Sequence, residues 1–330
     1  MADDDGRRLD RILRKALREL PLSAIHRLLR KGAILVDGKK AAADCRIHSG
    51  QTIMVDLDKD VISGSVTGRA DIKSPGQLEI LFEGSGLLVL NKPAGIIVHG
   101  KGSDCSQSKG SPSLEDQVLS YLGPKLKPSL SFRPGPLHRL DKMSSGIIVF
   151  SASLEGARFF SAMMQERRIK KFYLAIAEGA IKKQEVWKDE LIRDQNEKKT
   201  FIEKADKNFR AIESGSFAKT AFTKISPLAV NSGCTLILAE IETGRTHQIR
   251  AQAAEHGHPL LGDKKYGGRP FPGKPFPCSS SNAKKCGFLL HAWRMEFPED
   301  TALPHIIEAP PPERFQRKIR ELFGENFCFP

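Results

Sequence analysis

The stretch Pro136-Leu137-His138-Arg139-Leu140-Asp141-Lys142-Met143-Ser144-Ser145-Gly146 sets a lone acid between two cations, ahead of a Ser-Ser-Gly turn and the apolar run Ile147 to Phe150. An acid at the lip of a strand, reached through a Pro- and Gly-rich loop (Pro124 to Pro136), sits on backbone fixed on one side and free on the other. That placement suits a nucleophile or a base, although a turn Asp capping nearby amides has the same local look. A buried ionised carboxylate is costly unless paired, so a cation should meet Asp141. A second run of chemically unusual residues is Glu242-Thr243-Gly244-Arg245-Thr246-His247-Gln248-Ile249-Arg250-Ala251-Gln252. Thr246 can cap a helix running to Glu255 and stopping at Gly257, with Ile249 inward and Arg250 projecting from the first turn. Tyr173 lies in Lys170 to Glu178, an alternating strand stopped by Gly179, where it packs or stacks. His247 and the His256-x-His258 pair lack a third ligand at suitable spacing, so no metal is expected. With no P-loop and no dinucleotide fingerprint, no cofactor is expected either.

These groups need a scaffold, and the 330 residues, 40% of them apolar, suffice for one large core and a small extra domain. No run of 18 apolar residues and no apolar segment at the start point to a membrane or to export. The cysteines at 45, 105, 234, 278, 286 and 328 form no Cys-x-x-Cys pair, which fits a reducing cytoplasm. The net charge is +13, and between Arg7 and Gly50 twelve Lys or Arg face four Asp or Glu, a local excess of eight. Such clustering points to a polyanionic partner. Leu9, Ile12, Leu13, Ala16, Leu17 and Leu20 follow helical spacing, with Arg7, Arg8, Arg11, Arg14, Lys15 and Arg18 opposite. Ser23 can cap a second helix that keeps Ile25, Leu28 and Leu29 inward and His26, Arg27, Arg30 and Lys31 outward, until Gly32. A hairpin follows at Ile34-Leu35-Val36, Asp37-Gly38 and Lys39-Lys40.

Residues 57–77 mix turn formers with charge and read as a linker. Strands are expected from Leu78 to Glu83 and through Leu87 to Gly100. Residues 100–112 read as a loop. Ser113 can cap a helix from Leu114 to Leu122, and Ser153 starts another to about Arg168, with Phe159, Phe160, Met163 and Met164 as core. A charged hairpin spans Lys182 to Lys207, strands run from Thr220 to Pro227 and Cys234 to Ile241, and residues 268–286 read as a loop. Gly287 to Phe297 reads as a strand and Pro312 to Phe323 as a short basic helix.

His138-Arg139-Leu140-Asp141, followed by a hydroxyl residue and Ser145-Gly146, resembles the catalytic motif of the RluA family of pseudouridine synthases, with Ser144 where that family usually has Thr. Asn91-Lys92-Pro93-Ala94-Gly95 with Val98-His99-Gly100 resembles its first motif. Gly244-Arg245-x-His247-Gln248-Ile249-Arg250 resembles its third, and His258 to Asp263 with Tyr266-Gly267 resembles further family text. The resemblance implies that Asp141 is the essential residue, that Tyr173 is the active-site Tyr, stacking on uracil, and that Arg250 pairs with Asp141. It also implies that Arg139 fills the gap left by the extruded base. No cofactor or metal belongs to this chemistry. Arg8-Leu9-Asp10, Ile25 to Gly32 and Val36-Asp37-Gly38-Lys39 resemble an S4 domain, a small RNA-binding module. The expectation is therefore an α+β chain. An S4-like domain at 7–56 and a linker at 57–77 lead into a catalytic domain at 78–330 built on a mixed, mainly antiparallel sheet. RNA contacts are expected from Arg8, Arg11, Arg27, Arg30 and Lys31, and from His138, Arg139 and Arg245. The expected substrate is structured RNA, large-subunit (23S) ribosomal RNA first, and the protein is expected to act as a cytoplasmic monomer. A non-catalytic S4-type RNA-binding protein, or a synthase acting on transfer RNA, are the alternatives.

Overall fold

A computed structural model describes residues 4–17, 20–56, 78–99, 112–126, 132–194, 197–203, 217–231, 233–271, 287–325 and 327. The described residues form two compact units, one from residues 1–78, 99–135 and 150–158, the other from 79–98, 136–149 and 159–330. The expected linker at 57–77 and most of the loops at 100–112 and 268–286 lie outside the described residues.

In the first unit the order is β1 (Arg7–Arg8), α1 (Leu9–Ala16), α2 (Leu22–Lys31), β2 (Ile34–Val36), β3 (Lys39–Lys40), β4 (Arg46–Ile47) and β5 (Ile53–Val55). Leu9, Ile12 and Leu13 from α1 and Ile25, Leu28 and Leu29 from α2 bury against Ile34, Val36 and Ile47. The 3.6-residue spacing read from the sequence builds this core. Three local details differ from expectation. Arg7 and Arg8 precede the helix and pair with Arg46 and Ile47 in a short ladder. Ser23 lies inside α2, whose N-cap is Pro21, a residue that needs no amide partner and already holds the entry dihedral. Ala16 is exposed, at the helix end. Gly32, at φ 75°, ends α2 as expected, and Asp37 and Gly38, both at positive φ, make the two-residue hairpin turn. The expected RNA contacts Arg8, Arg11, Arg27, Arg30 and Lys31 are all exposed.

The rest of the chain runs β6 (Ile80–Gly84), β7 (Leu87–Lys92), α3 (Leu114–Leu122), β8 (Ser145–Ser151), α4 (Leu154–Gln165), β9 (Lys170–Glu178), β10 (Glu185–Asp194), β11 (Lys199–Ile202), β12 (Lys219–Asn231), β13 (Cys234–Ile241), α5 (Gln248–Glu255), β14 (Leu290–Glu296), β15 (Ile306–Glu308) and α6 (Glu313–Phe323). Ser113 closes a full capping box with Asp116 on α3, and the Ser153 hydroxyl accepts the Gly156 amide at the start of α4. β6 to β15 form one sheet in the order β11-β10-β12-β13-β9-β14-β8-β7-β6, with β15 added to β14. Its pairs are antiparallel from β11 through β14, whereas β14 and β8 run parallel. The fold is therefore α+β on a mixed, mainly antiparallel sheet. The run of buried residues through β8 reflects its interior place, where both faces are covered.

Parallel strands need a long crossover, and here it brings β14 back against the start of β8, with His291 facing Ser145 and Ala292 facing Gly146. The fit demands glycine. Gly146 has φ +106°, and a Cβ there would lie 2.6 Å from the Ala292 amide nitrogen, with the Ala292 carbonyl nearer still. The Ser-Gly of the central motif is thus a close approach of two backbones, and it sets where the turn before β8 must sit.

Candidate active site

Asp141 opens a turn closed by a hydrogen bond from the Ser144 amide to the Asp141 carbonyl, 3.1 Å. Lys92, at the end of β7, holds that turn. Its fully buried ammonium donates to the carbonyls of Pro93 (2.8 Å), Lys142 (3.2 Å) and Ser144 (2.7 Å). Burial pulls its pKa down to about 7, while the field of Asp141 pushes it back up. Three carbonyl acceptors call for all three ammonium protons, which favours the charged form in place. The Gly95 amide adds a bond to Lys142 O, 2.7 Å. Thus Asn91-Lys92-Pro93-Ala94-Gly95 acts as a clamp on the Asp141 turn.

Arg250 reaches Asp141 from the first turn of α5, with Nη1 2.8 Å from Oδ2. Its other edge donates from Nε and Nη2 to both oxygens of Asp263, at 2.7 and 2.9 Å. The guanidinium lies 4.1 Å from the Phe288 ring centre and 4.9 Å from that of Tyr266. Burial alone lowers its pKa, but the two carboxylates more than offset that and leave it raised. Asp263 is 2% exposed and Asp141 18%. The cation is therefore anchored by the buried acid and presented to the accessible one.

The cap of α5 differs from expectation. Its N-cap is His247 at φ 56°, with no side-chain cap, so Thr246 does not cap it. Gln248 does the locking. Its amide nitrogen donates to Phe222 O (3.0 Å) and Thr223 Oγ1 (2.9 Å), while its oxygen accepts from Thr243 Oγ1 (2.8 Å) and the Arg245 amide (3.0 Å). The twisted backbone turns His247 inward. The Thr200 amide donates to the Tyr266 hydroxyl at 2.9 Å, which leaves the phenol proton for His247 Nδ1, also 2.9 Å away. His247 then carries its proton on Nε2, 3.7 Å from Asp141 Oδ2. Burial lowers its pKa to about 4 against the pull of Asp141, so the ring is neutral.

Arg139, Asp141, Tyr173, Arg245, His247 and Arg250 line one open cleft. Tyr173 comes from mid-β9, is 8% exposed, and has its hydroxyl pKa raised by burial and by Asp141, so the phenol stays protonated. Arg139 and Arg245 are exposed at the rim. His138 packs beside β8 and α4. Its Nε2 accepts the Val149 amide at 3.1 Å and its ring stacks on Phe160, 6.2 Å between centres. Burial pulls its pKa to about 4. It braces the strand and does not line the cleft beside Arg139 and Asp141. His256 stacks on Trp187 and meets Asp189, and His258 meets Glu178 O, so neither joins His247. Asp263, Tyr266 and Lys92 take roles here that the sequence does not assign them. Gly262-Asp263 followed by Tyr266-Gly267 is the one signal in it that points to the first two.

A turn before β8 that carries an Asp, paired to an Arg from the first turn of α5 in a cleft also lined by a Tyr, makes this the candidate active site of the sheet. The family model for RNA pseudouridylate synthase matches residues 86–255, just over half of the chain. The chain belongs to the RNA pseudouridylate synthase family, an isomerase class that converts uridine to pseudouridine. It is 29% identical over 327 residues to ribosomal large subunit pseudouridine synthase C of Vibrio vulnificus, covering 97% of this chain and 95% of that one. The Escherichia coli protein of the same name is 29% identical over 332 residues (97% and 94%). Synthase D of Neisseria meningitidis is 28% identical over 311 residues (93% and 76%). Among solved structures, human RNA pseudouridylate synthase domain containing 1 shares the fold, with a TM-score of 0.54 at 22% identity, covering 78% of this chain and 92% of that one.

Proposed function

We propose that this protein isomerises specific uridines of large-subunit (23S) ribosomal RNA, with Asp141 acting at the ribose of an extruded nucleotide. The observation that carries the reading is the 2.8 Å contact between Asp141 and Arg250, inside a cleft also lined by Tyr173 and Arg139. A carboxylate so held keeps its direction in a partly buried site, which a nucleophile or base at the sugar needs. Breaking the bond from N1 to C1′ frees uracil, which turns and rejoins through C5. The C5 proton leaves and N1 gains one. Tyr173 offers its ring face to the base, worth about 1–3 kcal/mol in stacking. Arg139, at the rim, is suited to fill the gap in the RNA stack.

The names and near-complete coverage of the relatives support large-subunit RNA over transfer RNA. Residues 7–56 serve in this reading as an S4-like RNA-binding domain, with Arg11, Arg27, Arg30 and Lys31 toward phosphates. Arg8 is partly neutralised by Asp10, 2.8 Å away. The enzyme acts as a monomer in the cytoplasm, a state that light scattering on the purified protein checks. The deciding experiment treats unmodified 23S RNA and transfer RNA with purified protein, then maps pseudouridine by carbodiimide primer extension. Stops in 23S RNA that vanish with Asp141→Asn are expected. Stops in transfer RNA alone would move the substrate, and none in either would leave the non-catalytic binder.

A further inference from the structure

His291, in β14, is fully buried and has a partner on each ring nitrogen. Nε2 lies 2.9 Å from the Ala309 carbonyl oxygen and Nδ1 lies 2.9 Å from Ser145 Oγ. A carbonyl only accepts, so the proton is on Nε2 and Nδ1 accepts the Ser145 hydroxyl. Burial also pulls the ring's pKa to about 4, in keeping with one neutral tautomer. Ser145 and His291 face each other in the parallel ladder as well, so this residue is gripped through backbone and side chain.

Ser145 follows directly on Ser144, whose amide closes the Asp141 turn and whose carbonyl is held by Lys92. Lys92 and Gly95 fix the turn from β7. The grip from the other side, where the turn enters β8, comes from Gly146 against Ala292 and from the Ser145 hydroxyl. An apolar residue would fill the space of a buried imidazole, yet it would supply no direction to that hydroxyl and would leave it unpaired.

We propose that His291 is a positioning residue for catalysis. Oriented by Ala309, its Nδ1 fixes Ser145 and so the exit of the turn that aims Asp141 at its contact with Arg250. The inference rests on the reading of Asp141 as the catalytic group. A displacement of about 1 Å at such a carboxylate is enough to cost 100-fold in rate.

Two isosteric replacements separate the two bonds. His291→Gln places an amide near the Nε2 position and keeps the anchor to Ala309, while His291→Asn places one near Nδ1 and keeps the acceptor for Ser145. Single-turnover rates, KM for 23S RNA and melting temperature are measured for both, for Ser145→Ala, and for the double variant Ser145→Ala with His291→Gln. His291→Gln and Ser145→Ala are each expected to lower kcat about tenfold, the scale of one lost buried hydrogen bond, with KM within about twofold. The double variant is expected to be no slower than either, and His291→Asn to keep kcat within about threefold although it melts as early as His291→Gln. Rates that track melting temperature across all four variants, or a wild-type kcat in Ser145→Ala, overturn the proposal. Asp141→Asn is run alongside. If it is dead while Ser145→Ala is normal, only the positioning role fails; if it is active, the catalytic reading fails.

Discussion

Arg250 answers to two acids at once, and the difference in their burial explains the arrangement. Asp263 is sealed and satisfied on both oxygens, so it orients the guanidinium, whereas Asp141 meets one nitrogen through a single oxygen. A lysine is a point charge on a flexible stem and cannot span both carboxylates. Arg250→Lys is therefore expected to lose at least about 100-fold in kcat and to unfold earlier, since breaking a buried pair costs about 3–5 kcal/mol. Single-turnover pseudouridine formation and urea denaturation measure the two effects, and a wild-type rate would show that the pair is not needed for turnover. Asp141→Asn keeps the shape and removes the charge, so it is expected to abolish turnover while filter-binding affinity for 23S RNA stays within about threefold of wild type. Asp141 and Arg250 are legible in the sequence because each sits in a compact run of chemically unusual residues. Asp263 is not, because only the fold returns a corner 13 residues past Arg250 to the same guanidinium. Nor is His247, whose inward turn depends on a positive φ that no residue type announces.

At the level of elements, β8 and β14 fix the turn that carries Asp141, and their contact is tightest at Gly146. Gly146→Ala forces a methyl into the Ala292 backbone at a dihedral that L-residues avoid, so a loss of more than about 3 kcal/mol is expected. Gly95 has a similar φ of +96° but open space around it, and Gly95→Ala is expected to cost only about 1–2 kcal/mol of backbone strain. Denaturant midpoints for the pair provide the check, and equal midpoints would remove the close approach as the cause. β9 and β13 appear where alternation and a stopping glycine put them, since local pattern determines such strands. β15 escapes a reading of the sequence, because three residues, Ile306 to Glu308, carry too little pattern and become a strand by pairing with β14. β12 runs four residues beyond its expected end at Pro227, through a register shift between Pro227 and Ala229 that lets the ladder pass the missing amide.

For the whole molecule, charge is the lever. Ten of the twelve Lys and Arg between Arg7 and Gly50 are exposed among the described residues, so removing residues 1 to about 65 is expected to weaken RNA binding. The slope of log affinity against log salt should become shallower by nearly one unit for each phosphate no longer neutralised. An unchanged slope would return those cations to solvent. Acid acts through His138, His247 and His291, each held near pKa 4 against an ordinary 6.5. Between pH 6.5 and 4 the unfolded chain binds protons that the folded one refuses, so stability falls as pH falls, by at most about 1.4 kcal/mol per unit per histidine. His291→Asn should flatten that slope by about one proton in urea titrations across the window. The two-part charge layout is plain in the sequence because composition survives without coordinates, whereas the pairing of β8 with β14 is invisible until the chain closes. That pairing has a consequence in time. Ser145 and His291 are 146 residues apart, and a ribosome adding about 5–20 residues per second needs roughly seven to thirty seconds to travel between them. Through that interval the nascent chain carries Asp141 on a turn whose second clamp has not been made, so the turn is finished only after β14 has left the ribosome.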